Sequence, residues 1–268
     1  MAGGGNLEKI MRDLAGSVAW VTGGGTGIGR AGAEALAAAG ASVVVSGRRL
    51  DALQATVAAI AETGGTAEAC PLDVADAAAV QAAADDILAR HDRIDILVNA
   101  VGLNVGKRRY SEMTVDDWHL VVEVNLNGAY HCVHAVLPAM RRQKDGLIIN
   151  ISSWAGRYNS YVAGPAYGAS KHAMLSMNAT LNIEEGLHGI RACCICPAEV
   201  ATEILDRRPV PVTAADRARM LQADDLGETI RFVAAMPAHA CLNEILISPT
   251  WNRAYLGGEG NFPRAPAD

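Results

Sequence analysis

Ser17-Val-Ala-Trp-Val-Thr22 runs without a break into Gly23-Gly24-Gly25-Thr26-Gly27-Ile28-Gly29 and then into an Ala-rich stretch ending near Gly40, and this passage decides the fold of the 268-residue chain. The mostly apolar run before the glycines reads as a buried strand, and the residues after them carry helical spacing. Strand, glycine turn and helix together are the context a dinucleotide site requires. Glycines let the backbone approach a pyrophosphate, while the helix N-terminus offers unpaired N–H groups and the positive end of its dipole. Gly23, Gly25, Thr26, Gly27, Ile28 and Gly29 are the expected cofactor contacts of this turn.

Outward from that unit the same alternation repeats. A strand from Ser42 to Ser46, a helix from Leu50 to Thr63, a short strand from Glu68 to Asp73, a helix from Ala75 to His91 and a strand from Ile94 to Asn99 follow in order. That βαβαβαβ order demands a parallel sheet with right-handed crossovers. A long helical region is expected from Val115 to Arg142, then strands at Leu147–Ser152 and Ile190–Cys196, with a helix between them that carries Tyr167 and ends near Gly186 to Gly189. A helix around Leu226 to Met236 and a strand from Glu244 to Ile247 close the pattern. The expectation is a single α/β domain over residues 14–256, a doubly wound parallel sheet of about seven strands flanked by helices, with an N-terminal extension (1–13) and a Gly/Pro-rich tail (257–268).

Composition narrows the function. Half of the residues are hydrophobic yet only two are Phe, so the core is built from Ala, Val, Ile and Leu, as suits helices packed on a parallel sheet. The net charge of −6 and the lack of a basic run argue against nucleic acid and anionic membrane as partners. No apolar stretch approaches the ~20 residues of a membrane span, and Met1 to Asp13 has no apolar core of a secretory signal. Cys193, Cys194 and Cys196 share one strand and alternate between its faces, so they are not expected to converge on a metal or to pair locally. No metal site and a reduced, cytoplasmic setting are the expectations.

Gly47-Arg48-Arg49 ends the second strand, where an acidic residue would take a ribose 2′-hydroxyl and an arginine accommodates a 2′-phosphate. The preferred cofactor is therefore NADP(H) over NAD(H). Tyr167 and Lys171 lie one helical turn apart on a common face. An ammonium there favours phenolate, and the phenol's pKa is expected to fall below its ordinary ~10. Ser153 sits at the C-terminal end of a strand, where ligands of open α/β sheets bind. Asn104, Trp154, Arg157, Tyr158, Tyr161 and Trp251 are candidates to line a substrate pocket, with Arg157 as either a carboxylate partner or a solvent-facing cation. Residues 203–216, with Pro209 and Pro211, read as a mobile lid.

Taken together, Thr22-Gly23-x-x-x-Gly27-Ile28-Gly29, Asp73-Val74, Asn99-Ala100-Val101-Gly102, Asn125, Ser153, Tyr167-x-x-x-Lys171 and Pro197-x-x-Val200-x-Thr202 resemble the short-chain dehydrogenase/reductase family, over nearly all of Leu14 to Thr250. The resemblance implies a Rossmann-fold oxidoreductase that interconverts a secondary alcohol and a ketone with a catalytic tetrad of Asn125, Ser153, Tyr167 and Lys171. Tyr167 would pass a proton to the substrate oxygen, Lys171 would acidify it and hold the nicotinamide ribose, and Ser153 would hydrogen-bond the carbonyl oxygen. Asn125 would act through its backbone, distorting the long helix to position a water that relays protons to Lys171. Asp73 and Val74 would meet the adenine, Asn99, Ala100 and Gly102 the strand end and ribose, and Pro197, Val200 and Thr202 the nicotinamide carboxamide. Ser152 competes with Ser153, and the spacing to the tyrosine favours Ser153. Three departures stand out: Ala198 replaces a glycine, Ala100 replaces an asparagine, and Ser248-Pro249-Thr250-Trp251 replaces Asp-Gly-Gly. With Pro237-Ala238-His239, that ending resembles the branch acting on serine and other 3-hydroxy acids. By resemblance the chain forms a homotetramer or a homodimer. The rival readings are a Rossmann-fold epimerase or dehydratase and a non-catalytic NADP(H) sensor or scaffold.

Overall fold

Alternation along the strands decides which side chains each layer of helices covers. In the computed structural model, which describes residues 11–208 and 210–256, strand β1 (Val18–Thr22) sends Ala19 and Val21 to one face and Val18 and Trp20 to the other. The same split holds in β2 (Ser42–Gly47), where Val43 and Val45 oppose Val44. Both faces of the sheet are thus apolar, and each needs its own helix layer. Helices α1 (Gly27–Ala38) and α2 (Leu50–Glu62) cover the first face, through residues such as Leu36, Leu53 and Ile60. On the other face lies α3 (Ala77–His91), through Val80 and Ile87. Each such side chain, fully buried, contributes about 1.5 to 3 kcal/mol.

The remaining strands are β3 (Thr66–Pro71), β4 (Ile96–Asn99), β5 (Gly146–Ile151), β6 (Ile190–Pro197) and β7 (Glu244–Ile247). They form one seven-stranded parallel sheet in the order β3-β2-β1-β4-β5-β6-β7. The order reverses between β1 and β4, so their C-terminal ends, Thr22 and Asn99, open a crevice for a ligand. The seven-stranded, doubly wound α/β fold matches the expectation.

The long helical region expected from Val115 to Arg142 is present, with its backbone distorted around Asn125. It is α4 (Val115–Val122), a π-helical turn at Glu123–Asn127, and α5 (Gly128–Gln143). Asn125 sits inside the π turn with its side chain fully buried. Helix α6 (Pro165–Glu185) carries Tyr167 and Lys171. Of the segment 203–216 expected to form a lid, Pro209 lies outside the described residues, and the described ones are not a bare loop. They contain a 3-10 segment at Glu203–Arg207 and the start of α7 (Ala214–Arg219), ahead of α8 (Ala223–Ala234) and a short α9 (Arg253–Leu256). The expected N-terminal extension up to residue 10 and the tail (257–268) lie outside the described residues.

Candidate active site

Gly23 begins the crevice at φ +70°, and a Cβ there would lie 2.9 Å from the Ala100 carbonyl, so only glycine lets the turn pass so close to the end of β4. The turn delivers the N-terminus of α1 with Thr26 as an extended N-cap that makes no side-chain cap, and with no acidic residue in the first turn. Its own first turn therefore supplies no carboxylate to these N–H groups and this dipole, and the end is suited to a phosphate. Gly23, Gly25, Thr26, Gly27 and Ile28 line a cleft of about 850 Å³. Gly29 does not. It is buried, and a Cβ on it would collide with the Gly23 carbonyl, so it closes the turn from behind.

Arg48, Arg49, Asp73, Val74, Ala100 and Gly102 line the same end of the cleft. No carboxylate occupies positions 47 to 49. Arg48 is exposed, and Arg49 contacts Glu203 at 3.1 Å and Thr26 Oγ1 at 3.4 Å. An ion pair this exposed is weak and exchangeable. Asp73 accepts the Ala75 N–H at 3.1 Å, which sets the turn after β3. Asn99 stays out of the cleft: its Nδ2 donates to Asn150 Oδ1 at 2.9 Å inside the sheet.

At the other end, Ser153, Tyr167, Lys171, Pro197, Val200 and Thr202 line the wall. Ser153 follows β5 as the extended N-cap of a 3-10 turn, its Oγ accepting the Ala155 N–H at 3.1 Å. The Ser153 hydroxyl acts on the Tyr167 phenol, pulling its pKa down, and both residues line the same wall. Ser152 donates instead to the Lys171 carbonyl at 2.9 Å, so its hydroxyl is committed within the backbone. Ala198 has no positive φ, so the loop after β6 follows a path open to alanine.

The electrostatics correct the sequence reading of Tyr167. Burial pushes its phenol above 10, against the Ser153 hydrogen bond and the fields of Arg208 and Arg108, which pull it down. Lys171 is 2% exposed, and its amine lies 5.8 Å from the centre of the tyrosine ring and donates to the Ile151 carbonyl at 2.8 Å. Burial brings its own pKa down to about 8, and the fields of Cys194 and Cys196 oppose that. Asn125 does not face the cleft either. Its amide accepts the Leu103 N–H at 2.8 Å and donates to the Leu103 carbonyl at 2.9 Å, clamping the loop after β4.

Of the candidate substrate contacts, Asn104, Trp154 and Tyr161 line the cleft. Arg157, Tyr158 and Trp251 do not. Arg157 is 3.3 Å from Glu244, Tyr158 packs on Trp154 at 4.8 Å between ring centres, and Trp251 lies under Arg219 at 5.0 Å. Charged residues that were not among the substrate candidates also line the cleft: Arg108, Glu199, Glu203, Asp206 and Arg208. Glu199 is held below the usual carboxylate range: burial pushes it up, and hydrogen bonds from Arg253 and Arg208 outweigh that. The basic stretch Lys107-Arg-Arg109 was the available signal for Arg108. Glu203, Asp206 and Arg208 fall within the segment expected to form a lid, and nothing marked Glu199.

The family model described as short chain dehydrogenase matches residues 17–210. The chain belongs to the short-chain dehydrogenase family. This short-chain dehydrogenase is 44% identical over 190 residues to the short-chain reductase protein NovJ of Streptomyces niveus, covering 71% of each chain. It is 37% identical over 235 residues to a 3-oxoacyl-[acyl-carrier-protein] reductase of Synechocystis, covering 86% of this chain and 94% of the relative. Among solved structures, a metagenomic short-chain oxidoreductase in complex with NADP superposes with a TM-score of 0.77 at 32% identity, covering 90% of this chain and all of the other. The enzyme is thus a nucleotide-dependent oxidoreductase acting between hydroxyl and carbonyl groups.

Proposed function

We propose that this enzyme is an NADP(H)-dependent reductase and dehydrogenase that interconverts a ketone and a secondary alcohol. The observation that carries the reading is that Ser153, Tyr167 and Lys171 line one continuous cleft with the glycine turn. The nicotinamide, when bound, supplies or takes up the hydride. Ser153 donates a hydrogen bond to the carbonyl oxygen, where negative charge develops. Tyr167, which burial keeps protonated at neutral pH, gives its proton to the same oxygen during reduction. Lys171 holds the ribose and passes protons toward Tyr167, and the π turn at Asn125 frees a backbone carbonyl to hold the water that feeds Lys171. The unfilled N-terminus of α1 and the glycine turn hold the pyrophosphate, with Asp73 and Val74 beside the adenine. Asn99 keeps its role as support for the strand end, while Ala100 and Gly102 lie beside the ribose, and Pro197, Val200 and Thr202 face the carboxamide. Arg48 and Arg49, with no acidic competitor at the end of β2, favour the 2′-phosphate of NADP(H). Among the described residues no helix is long and apolar enough to cross a membrane. All six cysteines are free thiols, which supports a cytoplasmic setting.

The experiment is a ketone panel followed at the nicotinamide absorbance, with NADPH and NADH in parallel. Tyr167→Phe is expected to bind NADPH as the parent does and to lose turnover by roughly 100-fold or more, the weight of general acid catalysis. Arg48→Ala is expected to weaken NADPH alone, by an amount on the order of the 1.5 to 3 kcal/mol of a charge-assisted contact. Full turnover in Tyr167→Phe would remove the proton donor from this scheme.

A further inference from the structure

No carboxylate stands at positions 47 to 49, but one reaches this corner of the cleft from a distant part of the chain. Glu203 opens the 3-10 segment Glu203–Arg207 after β6, and its Oε2 lies 3.1 Å from Nη2 of Arg49, 154 positions away. The same Nη2 lies 3.4 Å from Oγ1 of Thr26, the N-cap of α1. One guanidinium thus joins the end of β2, the glycine turn and the segment after β6, and Thr26, Arg49 and Glu203 all line the cleft. Thr202 has the same placement: a Cβ on Gly27 would lie 3.2 Å from its methyl carbon, so the chain leading to Glu203 runs against the turn.

A role in stability alone fits this pair poorly. The two side chains are 59% and 62% exposed, and an ion pair so exposed stabilises a fold very little. Other exposed pairs of the chain, such as Arg30–Glu34 and Arg231–Glu228, join neighbours on one helix. This one joins two elements that meet only at the cofactor end of the cleft.

That position matters more than the strength of the pair. Arg49 is one of the two arginines assigned above to the 2′-phosphate of NADP(H), and its Nη2 already has two acceptors. A phosphate carries nearly twice the charge of a carboxylate and bonds a guanidinium strongly, so it can displace a weakly held partner. The existing pair must still be given up, and a carboxylate left beside the phosphate repels it.

We propose that Glu203 is a specificity-determining residue for the cofactor: it competes with the 2′-phosphate of NADP(H) for Arg49, and so narrows the preference for NADP(H) over NAD(H). This rests on the NADP(H) reading of the cleft.

The test uses adenosine 2′,5′-bisphosphate and adenosine 5′-monophosphate as probes, titrated into the protein by calorimetry. The wild type is expected to bind the bisphosphate more tightly, and Glu203→Gln is expected to widen that ratio by roughly 2- to 5-fold, the factor an exposed ion pair carries. The monophosphate is expected to bind both proteins alike. Glu203 is exposed, so Glu203→Gln is expected to melt with the parent, and Glu203→Ala repeats the measurement if it does not. Arg49→Ala is expected to erase the effect, so that adding Glu203→Gln to it leaves the ratio where it stands. A ratio unchanged by Glu203→Gln overturns the proposal. A gain of equal size without Arg49 overturns it too, because the carboxylate would then repel the phosphate without competing for the arginine. The two levels fail differently. An unchanged ratio in a protein that prefers the bisphosphate removes only the role of Glu203. Equal binding of the two probes by both the wild type and Glu203→Gln removes the NADP(H) reading and this proposal with it.

Discussion

Lys171 shows how much a single residue's surroundings decide. Its position one turn after Tyr167 is legible in the sequence, and so is their shared face, but the depth at which they sit is not. Depth reverses the expected electrostatics: the phenol is held protonated, and the amine is the group whose pKa falls, to about 8. The unfolded chain keeps this proton up to the ordinary 10.5, so between about pH 8 and 10.5 it binds more protons than the folded protein does. Stability carried by this residue therefore rises with pH across that window, as the penalty of a buried ammonium is relieved. The gain is on the order of 3 kcal/mol for a shift of this size. It is read as the difference between wild type and Lys171→Met in urea unfolding at pH 7, 9 and 10.5, because the variant lacks this titration and keeps the others. Parallel curves across the window would show an amine that titrates at its ordinary value.

At the scale of elements, the strands and the α1 to α3 helices follow from periodicity, since an apolar repeat of two or of three and four residues is written locally. The π turn is not written that way. It depends on a clamp across 22 residues, in which the Asn125 amide satisfies both backbone groups of Leu103. The periodicity of Glu123-Val-Asn-Leu-Asn127 does not distinguish that ladder from an ordinary helix, and only the family resemblance implied a distortion at Asn125. Arg108, Glu199 and Arg208 were hidden for a related reason: they stand on loops without a period, and only the sheet's topology brings those loops to one wall. Asn125→Leu would leave a buried N–H and carbonyl without partners. At about 1 to 3 kcal/mol for each unsatisfied group, the expected loss is roughly 2 to 6 kcal/mol in urea unfolding. Asn125→Asp keeps the bond from the Leu103 N–H but cannot donate to the carbonyl, and it is expected to fall between the two. A loss below 0.5 kcal/mol in Asn125→Leu, the range of ordinary surface changes, would mean that the clamp does not set this loop.

For the molecule as a whole, the outer faces of the helices that carry the site pose a question of association. Helix α4 packs against α6, and the outer surfaces of these helices and α5 expose Trp118 and Leu120 on α4, Tyr130 on α5 (53% exposed) and Ile183 on α6 (78% exposed). Single exposed apolar residues are ordinary, but here they crown the helices whose inner faces position Asn125, Tyr167 and Lys171. We propose that these faces are covered by further copies of the chain, giving a homotetramer, or a homodimer where only one such face is used. Association of folded chains stabilises them by mass action, so the melting temperature is expected to rise with protein concentration, and light scattering at micromolar concentration is expected to give a multiple of the monomer mass. Tyr130→Asp combined with Ile183→Asp places charges where apolar contact is expected, and burying an unpaired carboxylate is costly enough to shift the equilibrium to smaller species. The same variant is expected to lose the concentration dependence of its melting temperature. A wild-type protein that scatters as a monomer and melts at one temperature over a hundredfold dilution would show that these side chains face water and that the site is complete within one chain.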